Sequence, residues 1–449
     1  MEILKKLEIK NYRGLKKLEF SPRSINIIVG PNNTGKSSIL ESVSLFGSFP
    51  SSFKDSLRNN IIEELIHGKE YRPSYLINLA NQKAVIKGNI HRETYTLEIE
   101  YRSKGFLEDE RSELIFDFLN EYIEKAVERY TRRFYGIEHR KIDKLLDALF
   151  KHLPEKTKIS QQITLRRYFK EYLRNVDDFK EEVAELFRQD LNAKIEKMKK
   201  SFMDMIYNTE KIFITIYNKN NTGLYIYFPE FEEDLFFEEE DRFYRFPFVE
   251  EGLYTIQSFK SIEKFPIIFN FQKSAYASNV RSLHDLLVST GKISNTIDLI
   301  KNRVPYVEDI RKTEEDIYVF TNQTNKPIPL SLMGDGFIAL VKISFLISLA
   351  ENGILILEEP EVSVHPGFIE IISEEIVKNA KRVQFFISTH SLDLLNSILD
   401  ESEKEDKLDE VNIIRIHRRE DIRDIYPEIL SGKEAKEEIE EIGTDLRYV

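Results

Sequence analysis

The chain has 449 residues, no cysteine and a formal net charge of −12. The lack of cysteine excludes a disulfide framework, a zinc–cysteine site and a cysteine nucleophile. The acidic balance excludes a polycationic nucleic-acid coat, so any contact with DNA has to come from a local basic face.

Ile3–Ile9 and Leu15–Phe20 alternate apolar and polar residues and predict paired strands. Ile25–Val29 is apolar except for Asn26 and ends at Gly30, the pattern of a strand buried on both faces. Ser37–Phe46 follows with helical spacing, and a strand pair is expected around residues 84–102. From Phe106 to Glu210 the period changes. Val176, Phe179, Val183, Leu186, Phe187, Leu191, Ile195, Met198 and Phe202 mark a long amphipathic helix. Residues 106–210 are therefore expected to be a helical insertion between an N-terminal lobe, 1–105, and a C-terminal lobe, 211–449. Ile212–Tyr217 and Leu224–Phe228 predict a hairpin. The acidic-aromatic stretch Glu230–Arg245 predicts a solvated loop or edge. After Pro266 come a strand (Ile267–Phe271), helices to about Val304 and a strand pair flanking Asn322–Lys326. A helix (Gly336–Ala350), strand (Ile354–Leu357), helix (Gly367–Lys378) and strand (Gln384–Ile387) follow, then a helix-rich tail. The two ends are α/β.

The N-terminus, MEILKKLEIKNYRG, lacks the apolar region of a signal peptide. The longest apolar run, Ile338–Ala350, is interrupted by Lys342 and falls short of the roughly 18 residues of a membrane span. A soluble, cytoplasmic protein without membrane contact is expected.

Gly30-Pro31-Asn32-Asn33-Thr34-Gly35-Lys36-Ser37-Ser38 carries the G-x-x-x-x-G-K-S pattern after a buried strand and at the start of a helix. Its glycines let backbone N–H groups curl around phosphate oxygens, Lys36 neutralises the outer phosphates and Ser37 ligates Mg²⁺. Ile354–Leu357 then delivers Glu358 and Glu359 to the C-terminal end of a central strand, where α/β sheets bind ligands. Glu358 is the expected metal support, directly or through water, and Glu359 the group that polarises the attacking water. Glu361 stands just behind them. Phe385–Ile387 leads into Ser388-Thr389-His390, and a neutral imidazole there donates to a γ-phosphate and senses its loss. His365 is read either as a functional histidine or as a helix-start residue. Ser331-Leu-Met-Gly334-Asp-Gly336 precedes a helix and forms a second anion surface. A chain with one phosphate cradle has little internal use for two, so this surface is expected to meet the triphosphate of another copy. ATP would then join two subunits.

These motifs, with Val364-His365-Pro366 and Asn11-Tyr12-Arg13-Gly14, resemble the ABC-type ATPase heads of the SMC, RecF and OLD-like group. The resemblance covers about residues 1–50 and 325–395. It implies an α/β P-loop head with an antiparallel lobe, ATP and Mg²⁺ as cofactors, ATP hydrolysis, and a head-to-tail homodimer. It also implies a role in DNA repair, DNA processing or anti-phage defence. Tyr12 and Arg13 are implied near the nucleotide or DNA, and a Q-loop glutamine is implied at Gln82 or Gln272. Departures are informative. The insertion is too short for an SMC arm and has no cysteine for a zinc hook. Residues 391–449 hold Asp421 and Asp424 at the wrong spacing for a TOPRIM nuclease, so any nuclease is expected in trans. A scaffold that holds ATP without turnover and retains an effector is the alternative.

Between Lys125 and Arg174 fourteen Lys and Arg face six Asp and Glu, with Tyr and Phe interleaved. Arg132, Arg133, Arg166 and Arg167 are the expected contacts to a phosphate backbone. A solvated helical face and a protein-binding face fit the same composition.

Overall fold

Side chains of a strand point alternately to opposite faces, so a strand apolar at every position needs cover on both sides. Strands of that kind organise this protein. The computed structural model describes residues 2–68, 72–78, 81–102, 210–227, 236–239, 242–245, 253–257, 262–271, 280–314, 316–362, 364–418 and 425–442. The helix expected over Val176–Phe202 and the basic residues Arg132, Arg133, Arg166 and Arg167 lie outside them. Met1–Arg102 and Lys211–Val449 make one compact unit.

In chain order the first part contains β1 (Leu4–Tyr12), β2 (Leu15–Phe20), β3 (Ile25–Val29), α1 (Lys36–Ser48), β4 (Lys83–Ile90), β5 (Glu93–Arg102), β6 (Lys211–Tyr217), β7 (Thr222–Tyr227), β8 (Phe236–Glu239), β9 (Arg242–Arg245) and β10 (Leu253–Gln257). The second contains β11 (Ile267–Asn270), α2 (Val280–Ser289), α3 (Ile293–Arg303), β12 (Val307–Lys312), β13 (Ile317–Thr321), β14 (Ile328–Pro329) and α4 (Asp335–Leu349). Then come β15 (Gly353–Glu358), α5 (Pro366–Asn379), β16 (Val383–Ser388), α6 (Leu392–Lys404), β17 (Val411–Arg418), β18 (Ile425–Ser431) and α7 (Gly432–Ile442).

Two sheets carry the architecture. The 6-stranded sheet has the order β11-β15-β16-β3-β17-β18, parallel except for β18. The 7-stranded sheet has the order β10-β7-β6-β5-β4-β1-β2 and is antiparallel. This is the α/β class with a mixed sheet and an antiparallel lobe expected from the sequence. Alternation separates two cores. Ile354 and Ile356 of β15, Phe386 of β16, and Ile414 and Ile416 of β17 pack with α1 and the antiparallel sheet. Leu355 and Leu357, Phe385 and Ile387, and Ile413 face the other way, against α2 to α6.

The tail corrects the sequence reading. Expected to be helix-rich, it supplies β17 and β18 as well as α7, and β17 pairs directly with β3. Of the polar residues that hid β17, Asn412 donates to the Ser21 carbonyl at 2.7 Å and meets Asn26 at 3.4 Å. Two further differences are local. Phe236–Glu239 and Arg242–Arg245 pair as antiparallel strands where a loop or edge was expected, and β12 adds a third strand to the pair around Asn322.

One buried amide joins the two sheets. Gln384, fully buried in β16, accepts from the N–H groups of Ile3 and Leu4 at 3.1 and 2.9 Å and donates to the carbonyls of Leu4 and Arg23. Gln384→Ala strands these groups and is expected to cost about 3 kcal/mol, because each buried unsatisfied group carries its desolvation penalty. Urea unfolding with an unchanged slope and a lower midpoint checks this.

Candidate nucleotide site

Register places several loops on one edge. Glu358 of β15 pairs with Ser388 of β16, Ser388 with Ile28 of β3, Val29 with Arg415 of β17, and Leu357 with Asn270 of β11. The segments after β3, β15 and β16 therefore leave the same C-terminal edge, the edge at which open α/β sheets bind ligands.

The loop after β3 is a cradle. Gly30 and Gly35 have φ of 146° and 99°, and a Cβ on Gly30 would lie 2.3 Å from the Ile416 carbonyl oxygen. Only glycine fits there. Asn32 and Asn33 are exposed, and Asn33 also has a left-handed φ, 64°. Thr34 is buried and donates to the Pro31 carbonyl at 2.8 Å. Lys36 opens α1; its Nζ donates to the carbonyls of Gly30 and Pro31, both at 2.8 Å. Burial pushes the Lys36 pKa down to about 8, against the opposing pull of Glu359, Glu358 and Glu361. Ser37 Oγ donates to Glu358 Oε1 at 2.6 Å, and Ser38 is buried.

The turn after β15 is strained. Glu359 has φ of 46°, a left-handed conformation that costs a side-chain-bearing residue about 1–3 kcal/mol. Its N–H donates to the Ser388 carbonyl at 2.9 Å, and its Oε1 lies 3.3 Å from His390 Nε2. Glu361 Oε1 accepts from Thr389 Oγ1 at 2.6 Å and from the His390 N–H at 2.9 Å. The expected trio of Glu358, Glu359 and His390 is thus brought to one place with Lys36 and Ser37.

Other expected residues sit elsewhere. His365 is exposed and caps α5, its Nδ1 accepting from the Gly367 N–H at 3.2 Å, so the helix-start reading describes its place. Ser331 is exposed and donates to Asp316 Oδ2 at 2.9 Å. Gly334 caps α4, whereas Gly336 is buried, and a Cβ there would meet the Phe368 ring at 2.8 Å. Gly336 thus lets α4 and α5 approach closely. Gln82 is exposed ahead of β4, while Gln272 lies outside the described residues.

Sequence reasoning missed two contacts. Glu41, fully buried on α1, pairs with Arg13 NH1 at 2.5 Å, with the Tyr12 hydroxyl at 3.5 Å. This ties the Asn11–Gly14 turn to the helix that starts at Lys36. A lone carboxylate in the apolar helix Ser37–Phe46 was the available signal, because a buried charge needs a partner. The Glu361–Thr389 bond had none.

Ser37 and Glu358 fit Mg²⁺ carried with a triphosphate. That ion takes hard oxygen ligands, one or two of them from protein and the rest from phosphate and water. Among the described residues no group of three His, Asp or Glu forms an all-protein cage.

A cradle, a hydroxyl–carboxylate pair and a strained glutamate on one sheet edge define a P-loop ATPase head. The chain belongs to the AAA ATPase domain family, which matches residues 1–395. A stretch of 117 residues, 26% of the chain, is 33% identical to an uncharacterized protein, MJECL11, of Methanocaldococcus jannaschii and spans 99% of it. Another of 84 residues, 17% of the chain, is 40% identical to the DNA replication and repair protein RecF of Francisella tularensis subsp. novicida but spans only 24% of that protein. Among solved structures, the SMC head domain from Thermotoga maritima aligns over 95% of this chain and 98% of its own at 11% identity, with a TM-score of 0.37. The Smc head from Pyrococcus furiosus, bound to the C-terminal domain of ScpA, aligns over 99% and 100% at 15% identity, with a TM-score of 0.41. Among the described residues no helix is long and apolar enough to cross a membrane.

Proposed function

We propose that the protein is an ATP-driven switch: two copies close head to tail on ATP and separate after hydrolysis. The observation that carries this reading is the joint placement of Lys36, Ser37, Glu358, Glu359 and His390 on one sheet edge, with the Ser37–Glu358 and Glu359–His390 contacts at 2.6 and 3.3 Å. Gly30–Gly35 and the first turn of α1 hold phosphate oxygens with backbone N–H groups, and Lys36 exchanges its two carbonyl partners for them. Ser37 and Glu358 hold Mg²⁺, which when bound offsets the charge of the outer phosphates. Glu359 takes a proton from the attacking water. His390, beside it, contacts the γ-phosphate and registers its departure. The Q-loop role belongs to Gln82 or to Gln272.

Ser331 and Gly334 complete the partner's site. Leu332 between them is 74% exposed, and Val362, in the turn after Glu359, is 50% exposed. The test is Ser331→Arg. The variant is expected to bind ATP within about twofold of wild type while losing both the ATP-dependent dimer and at least about 90% of hydrolysis, an effect of about 1.4 kcal/mol or more. Light scattering with and without ATP, alongside phosphate release, reads this out. A dimer that persists would remove the head-to-tail arrangement.

Action on DNA, a nuclease partner in trans, and a place in repair, processing or defence rest on the motif resemblance, the RecF-like stretch and the basic residues Arg132, Arg133, Arg166 and Arg167. A long-lived ATP-bound scaffold uses the same residues apart from turnover at Glu359.

A further inference from the structure

A carboxylate that accepts two hydrogen bonds fixes whatever carries the donors. Glu361 Oε1 receives the Thr389 hydroxyl and the His390 backbone N–H, at 2.6 and 2.9 Å. The other oxygen, Oε2, is buried and has no hydrogen-bond partner among the described residues. A buried carboxylate left half-satisfied is costly, so the side chain is held where it is by what Oε1 secures. Glu361 also belongs to a tightly wound turn: the Val362 N–H donates to the Glu359 carbonyl at 3.2 Å and the Val364 N–H to the Glu361 carbonyl at 3.0 Å. The same few residues hold the strained Glu359, the exposed Val362 and the cap of α5.

We propose that Glu361 is a positioning residue: it clamps the end of β16 to the turn after β15, so that His390 is held against Glu359 and the two move as one body. This rests on the proposed hydrolytic role of Glu359 and His390, and deepens it. β15 and β16 are neighbours, but their ladder ends at Glu358 and Ser388. Beyond that point the two loops are linked by the Glu359 N–H to Ser388 carbonyl bond, the Glu359 Oε1–His390 Nε2 contact and the two bonds to Glu361. Of these, the bonds to Glu361 hold the Thr389 hydroxyl and the His390 backbone, while the Glu359 contact holds the His390 ring. Val362 is covalently next to the clamp, so pressure on that exposed side chain is passed to His390 through Glu361.

Three variants test this. Glu361→Ala removes the acceptor, Glu361→Gln keeps a carbonyl oxygen for both donors, and Thr389→Val removes one donor. Glu361→Ala is expected to lower kcat at least about 20-fold with KM for ATP within about twofold, since an arrangement used in the transition state is lost and ground-state binding is not. Glu361→Gln is expected to recover kcat to within about threefold, and Thr389→Val to fall between. The second readout needs no turnover. With ¹³C-labelled histidine, the His390 ring resonance, assigned through His390→Gln, is expected to shift or broaden in Glu361→Ala and to stay at the wild-type position in Glu361→Gln. An unmoved His390 resonance in Glu361→Ala overturns the proposal, as does a parallel loss in Glu361→Gln. If wild-type protein hydrolyses no ATP while the resonance moves as expected, the clamp stands and the hydrolytic reading falls.

Discussion

Glu359→Gln is expected to bind ATP as tightly as wild type, to release phosphate about 10²–10³-fold more slowly and to accumulate as a dimer. The amide keeps the size of the side chain and asks nothing new of the backbone at φ 46°. It loses only the capacity to take a proton from water. Hydrolysis ends the closed state on the proposed cycle, so blocking it leaves both triphosphates in place, and the partners stay together by mass action. Phosphate release and light scattering in Mg²⁺ and ATP measure the two effects on one sample. An unchanged rate would remove Glu359 from the role of base. An inactive variant that remains a monomer in ATP would instead separate hydrolysis from assembly.

Lys36→Ala has the larger effect on binding. The loss of a charged donor to phosphate is expected to weaken ATP affinity by about 100-fold, or about 2.7 kcal/mol, and to abolish the ATP-dependent dimer. Lys36 also makes a pH prediction. Burial holds its pKa near 8 in the empty site, with Glu359, Glu358 and Glu361 opposing. A bound triphosphate stabilises the ammonium and raises that pKa, so binding takes up a proton wherever the empty site is partly neutral. At pH 8 the expected uptake is about half a proton; near pH 7 it falls to about a tenth, because the group is already charged. Calorimetry in buffers of different ionisation enthalpy measures it. A flat uptake between pH 7 and 8 would show that Lys36 is already fully charged when ATP arrives.

The loops around the phosphates were legible in the sequence because their chemistry restricts residue type. Gly30 has no room for a Cβ, Ser37 is the hydroxyl that opens the helix, and Glu358 and Glu359 follow four apolar residues of a fully buried strand. The order of the central strands could be read only in part. β17 lies against β3, but Asn412, Arg415 and His417 interrupt its apolar alternation, and charged neighbours on both sides resemble a solvated helix. Asn412 finds its partner only far away in the chain, at the Ser21 carbonyl. Long-range satisfaction of this kind leaves no local pattern. The same holds for Glu361 with Thr389, where each residue alone is unremarkable and only the fold makes the pair; Glu41, a lone carboxylate in an apolar helix, signalled that it needed a partner but not that the partner is Arg13. The histidines show the limit from the other side: His365 and His390 both follow strand-end motifs, and it is the backbone that makes one a helix cap and brings the other to Glu359.

The bond between Ser331 and Asp316 also bears on how such heads would tell nucleotides apart. A serine whose hydroxyl already rests on a carboxylate yields only to a stronger acceptor offered from across the interface. On the proposed head-to-tail arrangement a terminal phosphate would be that acceptor, and a diphosphate would not reach as far. Two copies holding ADP would then gain nothing by exchanging acceptors, and the resting subunit would be reluctant to associate.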